Sequence, residues 1–186
     1  MEFYASRIRD INKGYWMSFE NHPRLEETKK NIYIRCLPCL EKLYEQLLSC
    51  LEELSLENPL NCWKVGVVLN SLEECLELLS IYEEECFPTE RSIRGRIGTS
   101  DKESPSIVII FHMLSEDERD RLIAELQEIV PGVNKEYSLF YERGCGDLYG
   151  VLCGDWRNWQ EVTPIENHEQ IPIIREKVQK LLRGEY

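Results

Sequence analysis

One short pattern occurs twice in this chain, and it restricts the available folds more than any other feature. From Val65 to Leu69 runs a β-branched apolar segment, followed by Ser71 with Glu74 three residues on. A serine that accepts from the first helical turn, answered by a glutamate that reaches back, is the capping pair that starts a helix. Leu72, Leu76, Leu79 and Cys86 then share one helical face with Cys75 and Tyr82 beside them, and Pro88 ends the run. The series returns as the apolar stretch Ile107 to Phe111, the pair Ser115 and Glu118, the stripe Leu122, Ile123, Leu126, Ile129 and Val130, and a stop at Pro131 and Gly132. Twenty-two residues separate Ser71 from the strand-like Ile93, and twenty-two separate Ser115 from the strand-like Tyr137.

Two strand-helix-strand units in succession, joined by the polar loop from Thr99 to Pro105, predict an α+β chain with a βαββαβ core. This is the split βαβ arrangement, also called ferredoxin-like. Strands are expected near 63–69, 92–98, 106–113 and 136–143, with helices near 71–86 and 115–130. A fifth strand is expected from Leu148 to Cys153, folded back on the Tyr137 to Arg143 strand across the turn Gly144, Cys145, Gly146 and Asp147. A C-terminal helix carries the stripe Ile171, Ile174, Val178, Leu181 and Leu182, with Gly184 at its stop.

The first sixty residues read differently. Tyr4, Ile8, Ile11 and Tyr15 mark one amphipathic helix, and Ile32, Cys36, Cys39, Leu43, Leu47, Cys50 and Leu54 mark a longer one. An N-terminal helical hairpin over 1–60, packed on an α+β domain over 61–186, is the organisation this predicts. The second stripe would bury against the sheet face that a split βαβ unit leaves open. A rival reading starts a helix at Asn58 and Pro59 and runs it to residue 86, making a three-helix bundle. Val65, Val67 and Val68 favour the strand instead, and Gly66 would cost a helix interior about 1 kcal/mol.

Charge narrows the partners. The formal net charge is −12, and residues 41 to 90 hold twelve Asp or Glu against Lys42 and Lys64 alone. That stretch repels nucleic acid phosphates and anionic membranes. Sequence-specific RNA binding on a split βαβ sheet needs stacked aromatics on the central strands. Here Ile107, Val108, Ile109, Ile110 and Phe111 are apolar at every position, which predicts a strand covered on both faces. Charges interrupt every hydrophobic run before it could span a membrane, and Arg7, Arg9 and Asp10 leave no apolar signal segment near Met1. A cytoplasmic location follows as the expectation, and with it eight cysteines held as thiols, several at helical core positions.

Two clusters carry the chemical expectations. Arg91, Arg94 and Arg96, set among Gly95 and Gly98, form a basic group free of interspersed acids. Alternate positions on a strand face the same way, so Arg94 and Arg96 would present paired guanidinium groups to a phosphate or carboxylate. Ion pairing with Glu83, Glu84, Glu85 or Glu90 is the competing outcome. Cys36 and Cys39 flank Leu37 and Pro38 ahead of Leu40, Leu43 and Leu47, which resembles the redox-active CxxC of thioredoxin-like proteins. That resemblance implies a first thiol at a helix N-terminus with a lowered pKa. The pair would otherwise be core thiols on a helix kinked or restarted at Pro38.

A structural zinc site commonly needs a second such pair, and Cys62, Cys75, Cys86, Cys145 and Cys153 are too widely spaced to supply one. Gly144, Gly146, Gly150 and Gly154 beside Trp156 and Trp159 could shape a pocket, but serve equally as turn residues and packing anchors. No sequence fingerprint of a hydrolase, zinc protease or nucleotide-binding enzyme occurs. The chain therefore reads as a cytosolic binding or regulatory module rather than an enzyme, taking a small anionic ligand or a protein partner. The alternatives are a thiol redox or metal-binding protein working through Cys36 and Cys39, and a subunit of a homo-oligomer.

Overall fold

The computed structural model describes residues 4–5, 9–11, 14–21, 25–49, 51–56, 62–86, 93–99 and 106–183. The chain is mixed helix and sheet. Its repeated pattern folds as read: strand β5 (Trp63–Leu69) leads into helix α2 (Leu72–Cys86) and strand β6 (Arg94–Thr99), and strand β7 (Ile107–Met113) leads into helix α3 (Glu116–Val133) and strand β8 (Ser138–Arg143). The long helix from Pro59 is thereby overturned, because β-branched Val65, Val67 and Val68 pair across β7 and bury their side chains wholly or in part.

Both helices begin on the expected caps, in matching detail. The Glu74 N–H donates to Ser71 Oγ (3.2 Å) and the Glu118 N–H to Ser115 Oγ (3.2 Å). Each glutamate then accepts from the residue before its serine, Asn70 N–H at 2.9 Å and Leu114 N–H at 2.8 Å. Orphan donors at both helix starts are satisfied, each cap being worth about 1 kcal/mol. The Glu74 carboxylate also accepts from Asn134 Nδ2 (2.9 Å) at the C-cap of α3, which ties the start of one helix to the end of the other. Pro131 and Gly132 do not stop α3 at 130 as expected. The last turn closes beyond the proline through Asn134 N–H to Val130 O (2.9 Å).

The buried stripe of α2 is Cys75, Leu78, Leu79 and Tyr82, with Leu76 left 44% exposed, so the helix is turned from the face expected for Leu72 and Leu76. The α3 stripe is Leu122, Leu126, Ile129 and Val130. These residues meet the sheet face made by Val65, Val67, Leu69, Ile97, Ile109 and Phe111, where Tyr82 lies 6.0 Å from the Phe111 ring. Each fully buried side chain of this size contributes roughly 1.5–3 kcal/mol. At one end of the layer the Arg119 guanidinium lies over the Trp63 ring at 3.9 Å and over Tyr141 at 5.0 Å.

The first twenty residues correct the sequence reading. In place of an amphipathic helix through Tyr4, Ile11 and Tyr15 stand strands β1 (Tyr4–Ala5), β2 (Arg9–Ile11) and β3 (Gly14–Glu20); Ile8 lies outside the described residues. Met17 and Phe19 are buried on the helix-covered side of β3, with Phe19 edge-on to Phe111 at 5.5 Å, while Ser18 and Glu20 take the other side. That alternation has a period of two, and it prevails over the weaker spacing of the earlier aromatic and isoleucine residues. The sheet runs β1-β3-β6-β7-β5-β8, with β2 also on β3. The register of β3 on β6 is set by Met17 opposite Ile97, Ser18 opposite Arg96 and Glu20 opposite Arg94.

The chain divides into two compact units, Met1–Lys29 with Trp63–Glu142, and Lys30–Cys62 with Arg143–Tyr186. In the second unit, helix α1 (Leu25–Leu48, continuous through Pro38) supplies Leu40, Leu43 and Leu47 to a core shared with strand β4 (Glu53–Ser55), helix α4 (Gly146–Cys153), strand β9 (Val162–Pro164) and helix α5 (Ile171–Leu182). Leu54, read as the end of a helical stripe, lies in β4 opposite Thr163. The strand expected from Leu148 to Cys153 is α4 instead. Leu148, Tyr149, Leu152 and Cys153 bury at helical spacing, which a strand would split between two faces.

Gly95 and Gly132 give opposite expectations for one methyl group. A Cβ on Gly95 would run into the Ile110 carbonyl oxygen and the Phe19 ring, whereas one on Gly132 meets nothing within 4 Å. Gly95→Ala should lower the urea unfolding free energy by about 1–3 kcal/mol, and Gly132→Ala should raise it by up to about 1 kcal/mol.

Candidate anion-binding site

Sheet alternation sends every second side chain to the face opposite α2 and α3. On that face β3 places Trp16, Ser18 and Glu20, β6 places Arg94 and Arg96, and β7 places Val108, Ile110 and His112. Across β7, Lys64 pairs in register with His112 and Gly66 with Ile110. Lys64 reaches Glu142 of β8, Nζ to Oε1 3.0 Å, and a Cβ on Gly66 would strike the Phe140 ring. A band of charge thus crosses the sheet through Glu20, Arg94, His112, Lys64 and Glu142, with Arg96 beside it.

The face is neither wholly dry nor wholly open. Glu20, Lys64 and Arg94 are buried, at 1%, 7% and 6% exposure, while Trp16, Ser18, Arg96, Val108, His112, Phe140 and Glu142 each keep part of their surface in solvent. The expectation that Ile107 to Phe111 is covered on both faces therefore holds on this face for Ile110 and not for Val108. Arg94 and Arg96 do share one face, as their alternate spacing predicted. Arg91 lies outside the described residues.

Arg96 has a distinctive setting. Its Cζ lies 4.5 Å from the centroid of the Trp16 ring, and its Nε has no hydrogen-bond partner among the described residues. A guanidinium stacked on an aromatic ring is held in plane while its edge still points donors outward, the geometry that suits carboxylate and phosphate. Burial, and after it the charges of Arg96, Lys64 and Arg94, push the His112 pKa down to about 3. The imidazole is neutral at pH 7, so the centre of the band carries three cations against Glu20 and Glu142. Glu20 Oε1 has no hydrogen-bond partner among the described residues.

The other sequence candidates fare differently. Cys36 and Cys39 lie in the middle of α1, away from a helix N-terminus, so the dipole that would activate the first thiol of a CxxC is not at hand. Of Cys36 only the backbone is described; Cys39 is partly buried. Burial, then Glu74 and Glu73, raises the Cys75 pKa to about 12, and burial with Glu166 raises Cys153 to about 11. Among the described residues no three His, Cys, Asp or Glu side chains gather as metal ligands. Asp155 accepts from the Arg157 N–H (3.0 Å) and pairs with its guanidinium, capping the 3₁₀ turn Trp156–Asn158. Trp159 packs edge-on against Tyr149 at 5.6 Å, as a packing anchor would.

Sequence reasoning missed Trp16, Glu20, Lys64 and His112. The alternation of Met17 and Phe19 with Ser18 and Glu20 was the available signal for the first two. Lys64 and His112 join the arginines only through strand pairing, for which the sequence holds no local mark. Comparison of the chain with protein-family models, with curated proteins and with solved structures finds no match in any of the three.

Two outcomes follow from these environments. His112 titrates near 6.5 when unfolded and near 3 when folded, so the unfolded chain takes up the proton first as pH falls. Stability should be full above about 6.5 and decline toward 3; His112→Gln should remove up to about 2 kcal/mol of the loss between pH 7 and 5, read from urea titrations at both values. Cys75 and Cys153 should resist iodoacetamide at pH 8 in the native protein and react after denaturation, as peptide mass mapping would show.

Proposed function

We propose that the chain is a binding module that takes a small anionic ligand on the sheet face at Arg96, with Arg94 and Lys64 supplying the positive field around it. The observation that carries this reading is the partly exposed Arg96 guanidinium, stacked on Trp16 with its buried Nε unpaired among the described residues, in a setting where three cations bear on a neutral His112. An arginine needed at position 96 only for stability would be expected to use its Nε on an acidic side chain, of which this acidic chain has an excess. The same reading takes Trp63 to Arg143 as a split βαβ, ferredoxin-like unit. Its support is the spatial order β6-β7-β5-β8, the antiparallel pairing of β5 and β6 with β7, and the duplicated caps of α2 and α3.

Isothermal titration with inorganic phosphate and with short carboxylates tests the site directly. Binding should weaken at least tenfold in Arg96→Ala and fall with added salt, while Arg157→Ala, at an exposed arginine already paired with Asp155, should leave it unchanged. Equal affinity in the wild type and Arg96→Ala, or no binding of any anion, would remove the reading.

A further inference from the structure

Resting on that anion site, we infer that its ligand is a carboxylic acid with an apolar body, the acid held by Arg96 and the body lying over Val108, Val68 and Phe140. The strand registers fix where these residues stand. Trp16 pairs with Gly98, Gly98 with Val108 and Val108 with Val68, which makes one row across the sheet from β3 to β5. The next row holds Ser18, Arg96, Ile110 and Gly66 in the same order, with the Phe140 ring lying where a Gly66 side chain would stand. Arg96 is thus directly opposite Ile110 and diagonal to Val108, a neighbour at roughly 7–8 Å.

Apolar side chains in these two rows are unusual for the outer side of an antiparallel sheet, which commonly packs one face on the core and carries polar residues on the other. The helix-covered face here already holds the core residues Val65, Val67, Ile97, Ile109 and Phe111. On the opposite face Val68, Val108 and Phe140 each keep part of their surface in solvent, around Ile110 at 7% exposure. From β6 to β5 this patch crosses two strand spacings, about 9.4–9.8 Å, most of which a single methyl group would leave wet. Inorganic phosphate would cover none of it. The charges fix the other end of the ligand. Arg96 borders the patch, partly exposed and stacked on Trp16, and Arg94 and Lys64 stand one repeat further along their strands. A polar anchor beside an apolar floor is how small-molecule sites orient a ligand, and a guanidinium as the anchor selects an acid.

Titration calorimetry of the full chain with acetate, butanoate, hexanoate and octanoate, and with inorganic phosphate beside them, tests this. Affinity should rise along the series by up to about fourfold per buried methylene, so that octanoate exceeds acetate at least tenfold. Val68→Thr combined with Val108→Thr, which keeps both branched shapes on their strands, should weaken octanoate at least fivefold and leave acetate unchanged. Arg96→Ala should weaken every acid. The wild-type series is a test on its own should the threonine variant fail to fold. Octanoate no tighter than acetate, octanoate unchanged in the threonine variant, or phosphate bound with none of the acids would overturn the apolar acid while the anion site stood. Failure of every anion, phosphate included, or affinities unchanged in Arg96→Ala would overturn both.

Discussion

The antiparallel ladder between β5 and β7 is the constraint on which the rest of the first unit depends. Its register pairs Val65 with Phe111 and Val67 with Ile109 on one face, and Lys64 with His112 on the other. A slip of one residue would drive Lys64 and His112 into the layer beneath α2 and α3 and turn the valines outward, so burial strongly specifies the register. Phe111 is where this choice is consolidated, touching Phe19 from β3 and Tyr82 from α2. The ladder therefore sets the core and, by the same alternation, the composition of the opposite face.

That opposite face looks uneconomical as pure architecture. Burying Lys64 and Arg94 costs solvation, which for Lys64 is offset by the ion pair with Glu142. Holding His112 neutral beside three cations costs stability in acid. Leaving Glu20 Oε1 without a donor among the described residues is a further cost. Hydrophobic residues at the same positions would avoid all three costs. Polar groups kept under such conditions are a reason to look for a ligand, and the stacked Arg96 is what leads us to propose an anionic one.

The second unit shows how composition misleads when elements are short. Leu148 to Cys153 is apolar, follows a glycine-containing turn and sits behind a strand, all of which favours a hairpin. Its core partners are the α1 leucines, Ile174 and Val178, and they are met by residues spaced four apart, which a helix provides. Conversely, the N-terminal helix expected from Tyr4, Ile11 and Tyr15 was a chance spacing, and Met17 to Glu20 held the true alternation. In both places a window of six to eight residues admits either period, and the choice falls to whatever surface the segment must cover.

By itself the sequence determined the two matched strand-helix-strand units, their capping serines and glutamates, the C-terminal helix, and the common face of Arg94 and Arg96. These depend on contacts within a few residues, so local spacing suffices to specify them. Tertiary structure alone decided that β3 would flank β6, that α4 would replace a strand, and that Trp16, Glu20, Lys64 and His112 would join the arginines. Those outcomes come from pairing between strands far apart in the chain, where hydrogen-bond register and burial select a neighbour that no local pattern names.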